Sequence, residues 1–109
     1  MNPLPIIREA IHYYFHSVGI HEAQTAEAYV VTLPHLVTHR PEAEYPETLD
    51  RDYQQREVAS DVEAIIRRAK LPGVTYTIRP NGHTEGPNRH WYQFHVVLTI
   101  PRQQPEGQG

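Results

Sequence analysis

His90-Trp91-Tyr92-Gln93-Phe94-His95-Val96-Val97-Leu98-Thr99-Ile100 alternates between apolar and mixed positions. Successive side chains of a β-strand point to opposite faces, so a strand here puts Tyr92, Phe94, Val96, Leu98 and Ile100 on one side. That side is a wall of a core. Trp91, Gln93, His95, Val97 and Thr99 fall on the other, a mixed face suited to solvent or to a partner.

Upstream, Val74-Thr75-Tyr76-Thr77-Ile78-Arg79 alternates in the same way, with Val74, Tyr76 and Ile78 inward. Between the two strands lies Pro80-Asn81-Gly82-His83-Thr84-Glu85-Gly86-Pro87-Asn88-Arg89, rich in turn formers. Residues 74–79 and 90–101 are therefore expected as an antiparallel hairpin with a long polar tip. A third strand is expected over Tyr29-Val30-Val31-Thr32-Leu33, which is β-branched and aromatic. Pro34 cannot donate to a ladder, which implies an edge, a bulge or a break, with Leu36-Val37-Thr38 as a continuation.

Two segments carry helical periodicity. In residues 3–18, Ile7, Ala10, Ile11, Tyr14 and Val18 form one apolar stripe, Pro3 and Pro5 suit a first turn, and Gly19 suits a stop. In residues 50–70 the stripe is Val58, Val62, Ile65, Ile66 and Ala69, with Thr48 or Asp50 as cap. Arg67, Arg68 and Lys70 crowd the last turn, where positive charge complements the helix dipole. Residues 20–27 read equally as helix or strand. The expected architecture is an α+β fold in the order α-β-α-β-β. Two helices cover one face of a three- to four-stranded, mainly antiparallel sheet. Residues 1–102 form one domain, and 103–109 form a polar C-terminal tail with nothing to bury.

Composition narrows the function. A chain of 109 residues has room for one core. Net charge is −3, with no basic face of the kind a specific nucleic-acid binder carries. No apolar run approaches the roughly 20 residues that span a bilayer, and Met1-Asn2-Pro3-Leu4-Pro5 lacks the features of a signal peptide. Cysteine is absent, which removes disulfides and thiolate metal sites. A cytoplasmic or virion location is expected.

The eight histidines are the main candidates for chemistry. His12 and His16 have the spacing of helical zinc ligands, with His21 the nearest third ligand, but Tyr13 stands where the protease motif has Glu. His35, His39 and His95 can converge on one sheet face. The two-histidine phosphoesterase pattern fails on spacing, since Thr38 and Thr99 stand three and four residues after His35 and His95. His83, Asn88, Arg89 and His90 gather with Glu85 at the hairpin tip, but the helix that follows the hairpin of HNH nucleases has no counterpart. Surface histidines are the simpler reading of each group. No catalytic residue, cofactor or metal ligand is assigned.

The positive signals are for protein contacts. Tyr13, Tyr14 and Phe15 are consecutive on a helix, so at least one, with Tyr13 the candidate, faces outward. Trp91 and His95 lie opposite the core face, Arg89 sits at the hairpin tip, and Glu44 and Tyr45 lie in the acidic loop 40–48. These six are the interface candidates. In element order, Pro5–Val18 and Glu57–Arg102, including Val74–Ile78 and Tyr92–Ile100, resemble small phage neck and tail proteins, tail terminators in particular. That resemblance implies a non-enzymatic structural protein that assembles as a homo-oligomer. The alternatives are a small inhibitor or regulator that binds one host protein through residues 42–47, or a histidine- or metal-dependent nuclease or phosphoesterase.

Overall fold

The computed structural model describes residues 2–16, 18–40, 47–86 and 89–102; side chains at 39–40, 47–50, 83–86 and 89–91 lie outside the description. In chain order the elements are α1 (Leu4–Tyr14), β1 (His21–Gln24), β2 (Ala28–Arg40), α2 (Glu47–Ala69), β3 (Thr75–Gly86) and β4 (Arg89–Pro101). The strands form one antiparallel sheet in the order β1-β2-β4-β3. The alternating stretch is thus an inner strand, paired along nearly its whole length on both sides.

Its inward face is fully covered. Tyr92, Phe94, Val96 and Leu98 have no exposed surface and Ile100 keeps 2%. Val31, Leu33 and Leu36 of β2 continue this wall. Against it pack Leu4, Ile7, Ala10 and Ile11 of α1, and Val58, Val62, Ile65 and Ala69 of α2. Each such burial stabilises the fold by roughly 1.5–3 kcal/mol for a large aliphatic or aromatic side chain. Tyr76 and Ile78 of β3, with Val74 just before it, pack against this core while keeping part of their surface in solvent, as an edge strand requires.

The α+β class, one-sided helices and antiparallel sheet follow the expected pattern. Several boundaries do not. The ambiguous stretch 20–27 contributes β1, so the order is α-β-β-α-β-β. All four β1 residues are exposed, so no alternation marked them; the strand exists because His21–Gln24 pair with Tyr29–Thr32. A three-residue turn joins them, in which the Thr25 hydroxyl accepts from the backbone N–H groups of Glu27 and Ala28.

α1 ends at Tyr14, four residues short of its expected end. Phe15 is extended at φ −128° and its N–H donates to the Ile11 carbonyl. Leaving the helix there lets Phe15, Val18 and Ile20 pack against the core edge from an irregular path. α2 begins at Glu47, so Thr48 and Asp50 lie inside it and do not cap it. It ends at Ala69, and Lys70 takes a left-handed φ of 55° with its N–H on the Ile66 carbonyl.

The loop expected at 80–89 is mostly strand. Pairing of β3 with β4 continues to Gly86 opposite Arg89. Pro80 is tolerated because β3 is a sheet edge and because a bulge between Pro80 and Gly82 absorbs Asn81. β2 passes Pro34 by the same device, a bulge between Leu33 and Leu36. Arg102, the last residue of the expected domain, is tied down: its N–H donates to the Glu27 carbonyl and its guanidinium to the Thr25 carbonyl and Gln24 Oε1. The rest of the tail, 103–109, lies outside the described residues. Among the described residues no helix is long and apolar enough to cross a membrane.

Candidate functional site

Helices cover one side of the sheet, and among the described residues nothing covers the other. The strand registers line up two rows across that open face. Val30 of β2, Thr99 of β4 and Thr75 of β3 form one row; Thr32, Val97 and Thr77 form the next. All six are β-branched, which suits a pleated surface because their χ1 angles are already restricted. Val37, further along β2, is 52% exposed, a large amount for an aliphatic residue in a sheet. The face therefore combines low side-chain entropy with apolar methyl groups, and ordering it against a second surface costs little.

Beyond these rows the two bulges fall at adjacent levels. Pro34 and His35 of β2 lie where β4 has His95, and His95 pairs with Arg79 of β3. One residue further, the bulge of β3 frees Asn81 from the ladder. Its amide Nδ2 donates to the Pro34 carbonyl at 2.9 Å and stands 3.5 Å from His35 Nδ1. The inner side at this level is filled by buried Phe94 and Leu36, so the link runs over the outer side of β4. A polar patch of His35, Asn81, His95 and Arg79 thus sits beside the β-branched rows.

The histidines separate into distinct places. His35 and His95 come to neighbouring positions on the bulged level, as their shared sheet face suggested. His39 pairs in register with Trp91, and the side chains of both, with those of His83, Arg89 and His90, lie outside the described residues. Asn88, Glu44 and Tyr45 also lie outside them. The helical pair His12 and His16 does not form, because α1 stops before His16. His21 sits in β1 opposite Thr32. Among the described residues no three His, Asp or Glu side chains gather closely enough to hold a metal ion.

Tyr13, the helical interface candidate, is 57% exposed. Its ring meets Tyr14 edge-on at a centroid distance of 5.1 Å, and the Arg68 guanidinium of α2 lies 3.7 Å over it. Tyr14 and Phe15 turn toward the core.

Sequence reading missed three polar ties. Asn81 looked like a turn residue, since Asn-Gly is a turn signal; nothing local shows that it crosses a strand. Arg8 of α1 forms a two-pronged bond with Glu22 of β1, at 2.7 and 2.9 Å. The Tyr76 hydroxyl donates to Glu63 Oε1 at 2.7 Å, joining β3 to α2. That bond, with burial and the charge of Glu63, holds the Tyr76 phenol above its ordinary value of 10.0. Asp61 is raised above 3.8 by burial and by Glu57 one helical turn before it.

No family model matches this sequence, and comparison with curated proteins and with solved structures gives no match.

Proposed function

We propose that this chain is a structural subunit that works by assembling with copies of itself or with partner proteins, of the kind small phage neck and tail proteins represent. The observation that supports it is the open sheet face: two β-branched rows, with half-exposed Val37 beyond the polar patch, on the side the helices leave bare. Such a face, two valines among four threonines, offers the methyl groups of stiff side chains to a second surface at little entropic cost.

The sheet edges support the same choice of surface. β3, one edge of the sheet, and the stretch of β2 beyond its pairing with β1 each carry a proline and a bulge where a new strand would have to dock; the other edge, β1, is only four residues long. Prolines and bulges are the usual means of blocking edge-to-edge pairing. Contact through the face, not extension of the sheet, is the arrangement this chain favours.

Native mass spectrometry of the purified protein over a wide concentration range tests the reading. Oligomers that grow with concentration, weakened at least tenfold in apparent affinity by Val97→Asp, are expected. A monomer at every concentration, in the absence and presence of added metal, overturns self-assembly. Stoichiometric bound zinc or manganese on that monomer would favour histidine-dependent chemistry instead.

A further inference from the structure

The open sheet face carries one sign of charge. Its outward positions run from His21 of β1, opposite Thr32, through His35 and His95 to Arg79 of β3, which pairs with His95. Among the described side chains on this face there is no carboxylate. Arg79 is exposed and forms no ion pair among the described residues. Half-exposed Val37 lies on the same face, opposite Gln93.

A surface of opposite sign lies on α2. Tyr53, Glu57 and Asp61 stand at i, i+4 and i+8, one line along the helix. They border a groove with Arg56 and Ser60. Tyr53 is 45% exposed, which among the described residues makes it, with Val37 and Tyr13, one of three large hydrophobic side chains left in solvent. Neither Glu57 nor Asp61 forms an ion pair among the described residues. From Asp52 to Glu63 the helix carries the acids Asp52, Glu57, Asp61 and Glu63 against the single base Arg56. Burial and Glu57 hold the Asp61 carboxyl above its ordinary value, and a cation brought beside it would relieve both.

The spacings of the two surfaces agree. Asp61 lies eight residues beyond Tyr53, about 12 Å at helical rise. On the sheet, Val37 and Arg79 are separated sideways by β4 and lengthwise by the step from Gln93 to His95. With paired strands ~4.8 Å apart and a rise of ~3.4 Å per residue, that diagonal is also about 12 Å. His95 stands between Val37 and Arg79 as Glu57 stands between Tyr53 and Asp61.

Resting on the reading of the chain as a subunit that assembles through its open face, we infer that this face receives the Tyr53, Glu57 and Asp61 line of a second copy's α2. Tyr53 then meets Val37, Glu57 lies over His95, and Asp61 pairs with Arg79. The contact covers the bare side of the sheet with a helix, as the inner side already is. Because α2 and the open face lie on opposite sides of the sheet, the second copy presents its own open face away from the first. A contact between two different surfaces arranged in this way does not close at two copies; it continues into a ring or a filament. Its charges are exposed, so salt weakens it.

The test is sedimentation velocity on the full chain in four forms: wild type, Arg79→Glu, Glu57→Lys/Asp61→Lys and Glu57→Lys, with thermal melts to confirm folding. Wild type is expected to form species larger than a dimer at about 50 mM salt. Arg79→Glu and the double variant should each weaken association about tenfold or more, because each carries one sign of charge on both surfaces. An equimolar mixture of the two should restore the larger species, since every open face then meets a helix of opposite sign. Glu57→Lys should act in the same direction, and it takes the place of the double variant should that chain fail to fold. Association unchanged in the folded variants, or a mixture that fails to recover it, overturns the contact with α2. If association still falls in Val97→Asp, the open-face reading survives that failure. A wild type that stops at a dimer likewise overturns the contact with α2 and leaves the open-face reading intact. A wild type that is monomeric throughout overturns both.

Discussion

The side-chain amide of Asn81 donates to the carbonyl oxygen of Pro34 at 2.9 Å, although β4 lies between the two strands that carry them. Paired strands are about 4.8 Å apart, so this one bond spans two strand spacings. It forms where β2 and β3 bulge at adjacent levels of β4, each beside a proline. The bond clamps the two bulges against each other and fixes the polar end of the open face.

Asn81→Ala should therefore loosen the outer sheet without harming the core. A loss of about 1 kcal/mol is expected from removal of one hydrogen bond, measured by urea unfolding. Hydrogen exchange should quicken at the amides flanking Pro34 and Pro80 and stay unchanged at Val96 and Leu98. Uniform quickening throughout the sheet would show that the clamp is global rather than local.

The two faces of β4 should respond in opposite ways. Phe94→Ala empties a fully buried position and should cost about 3–5 kcal/mol, a large part of the stability of a domain this size. Val97→Asp, on the open face, should leave the melting temperature within a few degrees of wild type and act on assembly. A Val97→Asp protein that unfolds would mean that the outer face is needed to stabilise the fold itself.

Tyr76 gives an alkaline signature. Its phenol sits above 10.0 in the folded protein because the neutral hydroxyl donates to Glu63. The stabilisation is present in full below the unfolded value and is lost as pH rises through the raised folded value. Stability should drop above about pH 10 in wild type, and less steeply in Tyr76→Phe, as followed by chemical unfolding across that range.

Asp61 has the reverse consequence at neutral pH. Burial and Glu57 raise its carboxyl above 3.8, so the folded state takes up this proton before the unfolded state does. Ionised Asp61 is a penalty above its folded value, and the penalty disappears as pH falls to 3.8 and below. Asp61→Asn should raise stability at pH 7 by roughly 0.5 kcal/mol or less, given its partial exposure. The gain should vanish in parallel unfolding curves at pH 3; an equal gain at both values would assign it to helix propensity instead.

The sequence by itself determined the two apolar patterns. Period-two alternation at Tyr92–Ile100 and period-3.6 stripes at Ile7–Ile11 and Val58–Ala69 each select one face of one element, because side-chain direction follows from local backbone geometry alone. The same residues form the buried core. It also called for an outward aromatic among Tyr13, Tyr14 and Phe15, and Tyr13, the candidate, is the exposed one.

Tertiary structure decided what local geometry leaves open. His21–Gln24 have no apolar alternation and are a strand only because β2 supplies their hydrogen-bond partners. Pro80–Gly86 read as loop from their turn formers, yet pair with β4 once a bulge removes the misfit at Asn81. The convergence of Asn81, Pro34 and His35 depends on strand order and on the bulges of β2 and β3. Those are set by which surfaces pack together across the chain, and no window of neighbouring residues contains that information.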